Sequence, residues 1–142
     1  MLDRALRWLL IILNGFLALT AFAGGIGLLA DLNAPPLETL EGSIFRSFLI
    51  PGLALFLVVG GSALTAAVLH IRRHALAGYS GMAAGLIIIA FEIVEVMVIG
   101  SDQGIARMLQ IFYASLGLAI LLFSSAKVFI TKTHVQREGV PS

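Results

Sequence analysis

Four apolar segments of membrane-spanning length take up most of this chain. They cover residues 8–30, 47–70, 79–100 and 106–130. Each exceeds the ~20 residues that a helix needs to cross ~30 Å of hydrocarbon. With 59% hydrophobic and 12% charged residues, the composition is far from that of an ordinary soluble domain. We therefore predict an all-α integral membrane protein in which residues 1–142 form a single transmembrane domain.

The positive charges predict how this four-helix bundle is oriented. Of the nine Lys and Arg residues, only two lie at the end of the bundle that follows the first and third segments: Arg46 in the first loop and Arg107 at the start of the fourth segment. The others lie near the termini or in the loop after the second segment. Because cytoplasmic loops carry an excess of Lys and Arg, we predict an antiparallel up-down-up-down bundle with both termini in the cytoplasm. Residues 31–46 then form an external loop, and residues 131–142 form a cytoplasmic tail.

Pro51 leaves two possible starts for the second helix. The helix either begins near Leu49, with the proline in its first turn, or begins near Ser43 and kinks at the proline. Ser43 is the predicted N-cap in the second case. The external loop that precedes this helix is expected to be solvated, with a short helical turn over residues 36–41.

Basic residues at the ends of the segments are expected to contact lipid headgroups. Arg72 and Arg73 follow the second segment, and Lys127 and Lys132 lie near the end of the fourth. Long basic side chains in such positions extend to the polar headgroups. We therefore predict these four residues as interfacial anchors, and headgroup contact is also the simplest role for the neighbouring His70.

The third segment carries two carboxylates, Glu92 and Glu95, three residues apart. On a helix, both share a face with Gly81 and Gly85. Small residues allow a neighbouring backbone to approach, and an acidic residue near the middle of a span costs about 2.5–3.5 kcal/mol. We therefore expect this face to point into the bundle, and the opposite face, which carries Phe91, to point to lipid.

The fourth segment places polar residues beside these glutamates. The short connection between the two segments favours a helical hairpin. Counting the helical rise from this turn places Gln110 at about the depth of Glu95. Tyr113 is then at about the depth of Glu92. We predict a polar cluster of these four residues, with Arg107 one turn farther out and within reach of Glu95.

No residue pattern in the sequence indicates catalysis or a cofactor. The chain has no cysteine, which excludes disulfides, thiolate metal sites and cysteine nucleophiles. Serines in the segments have no histidine in the membrane interior to act as a base, and the two glutamates lack a third strong metal ligand. The net charge of +1 argues against a nucleic-acid partner. We predict neither an enzyme nor a metal or cofactor protein.

One stretch of the sequence resembles known proteins. The segment LEGSIFRSFLIPGLALFLVVGG, residues 40–61, resembles a pattern in small bacterial four-span membrane proteins that have no assigned activity. Those proteins pair a G-[S/T]-x-F turn with F-L-I-P-G-L, and LQIFYASLG, residues 109–117, is similar to their last span. The resemblance implies a multi-pass protein of the bacterial inner (cytoplasmic) membrane. It transfers no catalytic residue.

Three functions are compatible with this sequence. In the first, which is our primary expectation, an accessory or scaffold protein in the bilayer binds a larger membrane-protein partner or a second copy of itself. In the second, a proton- or cation-coupled transporter or transporter subunit uses Glu92 and Glu95 as its ion site. In the third, a sensor binds a lipid-like or other small molecule in a cavity lined by Glu95, Gln110 and Tyr113.

Overall fold

The computed structural model describes residues 1–32, 34–100 and 104–139. Four long helices account for most of these residues, and each is long and apolar enough to cross a membrane. They are α1 (Leu2–Leu29), α2 (Leu49–Ile71), α3 (Ala77–Ile99) and α4 (Ile105–Glu138). The predicted all-helical class with four helices of membrane-spanning length is confirmed. Of the connection between α3 and α4, residues 101–103 lie outside the described residues.

Helices that are neighbours in sequence are also neighbours in space. α1 packs against α2 and α4, and α3 packs against the same two helices. All four helices contribute to one hydrophobic core, formed by Leu17, Ala18, Ala21, Val59, Ala63, Ile88, Leu116 and Ile120. The core lies near the middle of each helix, so polar residues toward either end are free to form separate sites.

The backbones of α3 and α4 approach each other closely at Gly85 and Gly117. A Cβ atom at Gly85 would lie 2.7 Å from the carbonyl oxygen of Gly117, and a Cβ atom at Gly117 would lie 3.0 Å from the carbonyl oxygen of Gly85. Two backbones can come this close only because neither residue has a side chain. This contact sets how far apart α3 and α4 lie beside the polar residues of the two helices, which are Glu92 and Glu95 on α3 and Gln110 and Tyr113 on α4.

The glutamate face of α3 points into the protein. The buried residues of this helix are Ala77, Gly78, Gly81, Ala84, Gly85, Ile88 and Glu92. The predicted lipid side is only partly exposed, because Ile87 and Phe91 pack against the hydrophobic core. The prediction that Phe91 faces lipid is therefore wrong. Periodicity identified the buried stripe, but α2 also covers a second side of α3.

α2 begins at Leu49, so Pro51 lies in its first turn. This position tolerates proline because a first-turn N–H has no partner within the helix. The alternative start at Ser43, with that residue as the N-cap, is wrong. The Ser43 hydroxyl instead donates a hydrogen bond to the carbonyl oxygen of Leu40, at 2.7 Å. Leu40 ends a short 3-10 turn, Leu37–Leu40.

The middle of α2, Ala54–Gly60, is π-helical. This wider segment lies against α1, where a Cβ atom at Gly25 would be 2.7 Å from the Cβ of Phe56. The rings of Phe22 and Phe56 also meet there, with centroids 4.8 Å apart. A π-helical segment changes which side chains face inward compared with an α-helix, so sequence periodicity does not predict this part of the packing.

α4 continues beyond the predicted end of the fourth segment. It runs to Glu138 and ends at Gly139. Within this extension the side-chain hydroxyl of Thr131 donates a hydrogen bond to the carbonyl oxygen of Lys127, one turn earlier, at 2.9 Å. The predicted tail, residues 131–142, is thus helical as far as Glu138, and residues 140–142 lie outside the described residues.

Candidate functional site

The four polar residues predicted to cluster line one cavity. Glu92, Glu95, Gln110 and Tyr113 lie in the wall of a cavity of about 540 Å³, which we call the glutamate cavity. α1 supplies much of the remaining wall, and Leu55 of α2 completes it. The apolar part of the wall includes Leu17, Ala21, Leu28, Ile88, Phe91 and Leu109. The site therefore combines a polar side, from α3 and α4, with a hydrocarbon surface.

Gln110 connects α3 and α4 at the predicted register. Its side-chain Nε2 donates hydrogen bonds to Glu95 Oε1, at 3.3 Å, and to the carbonyl oxygen of Gly100, also at 3.3 Å. The side chain is buried, and its Oε1 has no hydrogen-bond partner among the described residues. This oxygen is therefore a buried acceptor that is left unsatisfied in the described structure.

Glu92 is the more enclosed of the two carboxylates, with 7% of its surface exposed. The amide of Gln110 bonds to Glu95 and not to Glu92. Within residues 1–32, 34–100 and 104–139, the one salt bridge joins Asp3 to Lys127, far along the helices from the glutamates. Neither glutamate is thus paired with a cation in the described part of the chain.

Arg107 does not take part in the cluster. Its side chain is exposed and does not line the glutamate cavity. It forms no salt bridge with Glu95 in the described structure, although the sequence places it within reach of that carboxylate. Arg107 lies near the start of α4, where its guanidinium stays solvated. Moving it inward would require desolvation that a single ion pair does not always offset.

A second cavity lies on the other side of Glu95. It has a volume of about 470 Å³, and we call it the apolar cavity. It lies between α2 and α3 and is partly covered by Phe45 and Phe48 of the preceding loop. Glu95 and Phe91 line both cavities. Each of the two cavities therefore combines the carboxylate of Glu95 with a large apolar surface.

Sequence reasoning missed this apolar cavity because it treated residues 31–46 as solvated. Leu40 is 4% exposed, and Phe48, just after that loop, is 7% exposed. The sequence signal for this cavity was Phe45 and Phe48, just before Pro51, because phenylalanine is unusual in a solvated loop. Their folding back over α2 and α3 is a long-range contact that local patterns do not predict.

The predicted interfacial anchors lie at the opposite end of the bundle. Arg73, Lys127 and Lys132 line a separate basic cavity together with residues of α1, whereas Arg72 is exposed and lies outside it. The hydrophobic core lies between the two ends. Leu17 and Ile88 belong to this core and also line the glutamate cavity, so the core forms its inner boundary.

The glutamate cavity offers two kinds of contact to a ligand. The carboxylates accept hydrogen bonds, and the apolar wall accommodates hydrocarbon. The volume of about 540 Å³ lies within the roughly 300–1,000 Å³ that is typical of small-molecule sites. No family model, curated protein or solved structure matches this chain, so its function must be argued from these contacts.

Proposed function

We propose that this chain is a four-span integral membrane protein that binds a cationic amphipathic small molecule in the glutamate cavity. One observation carries this proposal: Glu92 and Glu95 line the same cavity, and no described cation is paired with either of them. Enclosing a carboxylate without a counter-ion is costly in a medium of low dielectric constant. An ammonium group of a ligand would supply the missing charge.

The surrounding residues favour an organic cation over a bare ion. The ring of Tyr113 lines the cavity beside the carboxylates, and aromatic faces attract cations. Phe91 and Glu95 line both cavities. A ligand whose head group lies between Glu92 and Glu95 can place its alkyl tail against the apolar wall of the glutamate cavity, which includes Phe91. An inorganic ion would leave this hydrocarbon surface unused.

The orientation of the bundle belongs to the same proposal. We place both termini in the cytoplasm and the helices antiparallel, on the basis of the excess of Lys and Arg on that side. The packing of each helix against its neighbours in sequence is compatible with this arrangement. The glutamate cavity then opens in the outer half of the bacterial inner membrane.

Cysteine labelling tests this orientation. The chain has no native cysteine, so Glu41→Cys, in the external loop, and His134→Cys, near the end of α4, each introduce a single thiol. We expect a membrane-impermeant maleimide to label Glu41→Cys in intact cells and His134→Cys only after permeabilisation. The reverse pattern would exclude the proposed orientation. If both positions are labelled in intact cells, the loop after α1 and the end of α4 lie on the same side of the membrane, and the two termini then lie on opposite sides.

Alkyl chains with different head groups test the binding function. For the protein in nanodiscs of neutral lipid, we expect saturable binding of radiolabelled dodecylammonium and no saturable binding of dodecanoate. Glu92→Gln keeps the shape of the side chain but removes its charge. Loss of one partner of an enclosed charge pair costs about 2–5 kcal/mol, so the affinity for dodecylammonium should fall roughly 30-fold or more.

Glu38→Gln is the matched control for this substitution. Glu38 is an exposed carboxylate in the 3-10 turn and lines neither cavity. This variant should bind dodecylammonium as the wild type does. If Glu92→Gln binds with wild-type affinity, or if dodecanoate binds as tightly as dodecylammonium, the glutamate cavity does not recognise cations.

The two other functions make different demands on the same residues. An accessory protein would co-purify with its partner and tolerate Glu92→Gln, with the glutamates serving only to hold helices together. Only Glu95 makes such an interhelical hydrogen bond, which favours a ligand site at Glu92. A coupled transporter would lose ion flux in proteoliposomes when Glu92 or Glu95 is replaced. The core residues at the inner boundary of the cavity favour binding over passage.

A further inference from the structure

The cavity at the opposite end of the bundle is strongly basic. It has a volume of about 450 Å³ and is formed by α1, α4 and the connection between α2 and α3. Its cationic lining residues are Arg4, Arg7, Arg73, Lys127 and Lys132. Among the described lining residues the only carboxylate is that of Asp3, which forms a 2.7 Å salt bridge with Lys127. The remaining cations have no carboxylate in the described lining, so the cavity strongly favours an anion.

His70 lies in the wall of this basic cavity with unsatisfied hydrogen-bonding groups. It is completely buried, and neither ring nitrogen has a partner among the described residues. At least one of these nitrogens carries a hydrogen, and a buried donor without an acceptor is unfavourable. The hydroxyl of Ser124, near His70 and Gly81, is likewise buried without a partner in the described structure. His70 and Ser124 thus leave polar atoms unsatisfied behind the wall of the basic cavity.

Arg73 contributes one of the cations of this cavity, although its backbone conformation is unfavourable for a residue other than glycine. Arg73 has a φ of 54°. Its N–H donates to the carbonyl oxygen of His70, at 3.2 Å, and the N–H of His74 donates to that of Leu69, at 2.9 Å. These are the two hydrogen bonds of a Schellman helix ending, in which this position is usually glycine. An arginine in a conformation that favours glycine indicates that its side chain has a functional role at this position.

Two aromatic residues indicate the depth of the cavity mouth. The guanidinium of Arg7 lies 5.2 Å from the centre of the Trp8 ring, and Nζ of Lys132 lies 5.8 Å from that of Tyr79. Tryptophan and tyrosine are enriched at membrane–water interfaces. The cations of the basic cavity are therefore at the level at which phospholipid phosphates lie.

We infer that the basic cavity binds a phosphate group, with Arg7 and Arg73 contacting its oxygens. Arginine matches the geometry of phosphate because its guanidinium presents parallel N–H donors. The phosphate comes either from the headgroup of an anionic phospholipid or from a soluble phosphate. Both sources have the same chemistry at the cations and differ in whether acyl chains remain in the bilayer.

Arg73→Gly tests this inference with little risk to folding, because glycine suits the backbone conformation at that position. The matched control is Arg72→Gln, which removes the same charge from the adjacent, exposed residue outside the cavity. In the lipid arm, native mass spectrometry counts phosphatidylglycerol molecules that stay bound to protein taken from mixed neutral and anionic nanodiscs. In the soluble arm, inorganic phosphate is added to protein in neutral nanodiscs, against chloride at equal ionic strength, and the melting temperature is measured.

We expect the wild type and Arg72→Gln to give the same signal in at least one arm. Arg73→Gly should bind about tenfold more weakly in that arm while melting no lower than the wild type. Retention of phosphatidylglycerol alone identifies a lipid headgroup as the source, and stabilisation by phosphate alone identifies a soluble one. A wild type that responds in neither arm, or equal losses in Arg72→Gln and Arg73→Gly, would overturn the inference.

Discussion

A leucine at Gly85 is expected to force α3 and α4 apart and to lower the free energy of unfolding by about 3 kcal/mol or more. A Cβ atom at this position would lie 2.7 Å from the carbonyl oxygen of Gly117 and 2.9 Å from the backbone nitrogen of Leu121. Both are backbone atoms, so no side-chain rotation relieves the clash. The helices must separate, and the hydrogen bond between Gln110 and Glu95 is then stretched. Denaturant titration in mixed micelles, followed by circular dichroism, measures the loss.

The matched pair Gly85→Ala and Gly61→Ala separates this clash from the helix propensity of glycine. Apart from its chain neighbours and the backbone of its own helix, no described residue has an atom within 4 Å of a Cβ built at Gly61, in the middle of α2. Alanine there removes the cost of glycine in a helix interior, which is about 0.5–1 kcal/mol, and should stabilise the protein. The same change at Gly85 should destabilise it. If alanine stabilises the protein at both positions, α3 and α4 do not touch at Gly85.

The register of the glutamate site was predictable from the sequence because it depends on local geometry. Gln110 and Glu95 lie on either side of a short connection, and helical rise is constant, so their depths follow from counting residues. The buried face of α3 was predictable for the same reason, since the spacing of Gly85 and Glu92 places both on one stripe. Each of these inferences needs only one helix or one hairpin.

Features that depend on several helices were not predictable. Phe91 packs against the core instead of lipid, because α2 covers a second side of α3. Arg107 stays at the surface instead of pairing with Glu95. Charge alone suggested that pair, but the sequence does not give the desolvation cost that opposes it.

The basic cavity shows the same limit at the other end of the bundle. Arg73 and Lys127 were each predicted as separate anchors for headgroups. What turns them into parts of one cavity is the contact of α1 with α4, where Asp3 bonds to Lys127 across nearly the whole chain. The burial of His70 without a hydrogen-bond partner among the described residues also depends on this packing, so a list of basic residues could not show it.

Narrowing the glutamate cavity with a bulky side chain should abolish dodecylammonium binding while leaving both carboxylates in place. Ala23, on α1, is exposed and lines this cavity. The indole of Ala23→Trp would occupy space that the alkyl chain needs. We expect equilibrium binding in nanodiscs to weaken at least about 100-fold, which corresponds to ~2.7 kcal/mol. The melting temperature should change little because residue 23 lies at the surface of α1 and outside the core.

Ala83→Trp is the control for this substitution, because Ala83 is exposed on α3 and lines neither the glutamate cavity nor the apolar cavity. It adds the same indole to the bilayer-facing surface and should bind dodecylammonium as the wild type does. The comparison also separates the hypotheses about Glu92. A bare proton or metal cation would still reach the carboxylate past an indole, whereas an alkyl chain would not. Wild-type binding by Ala23→Trp would therefore mean that dodecylammonium binds elsewhere and that the cavity does not hold its tail.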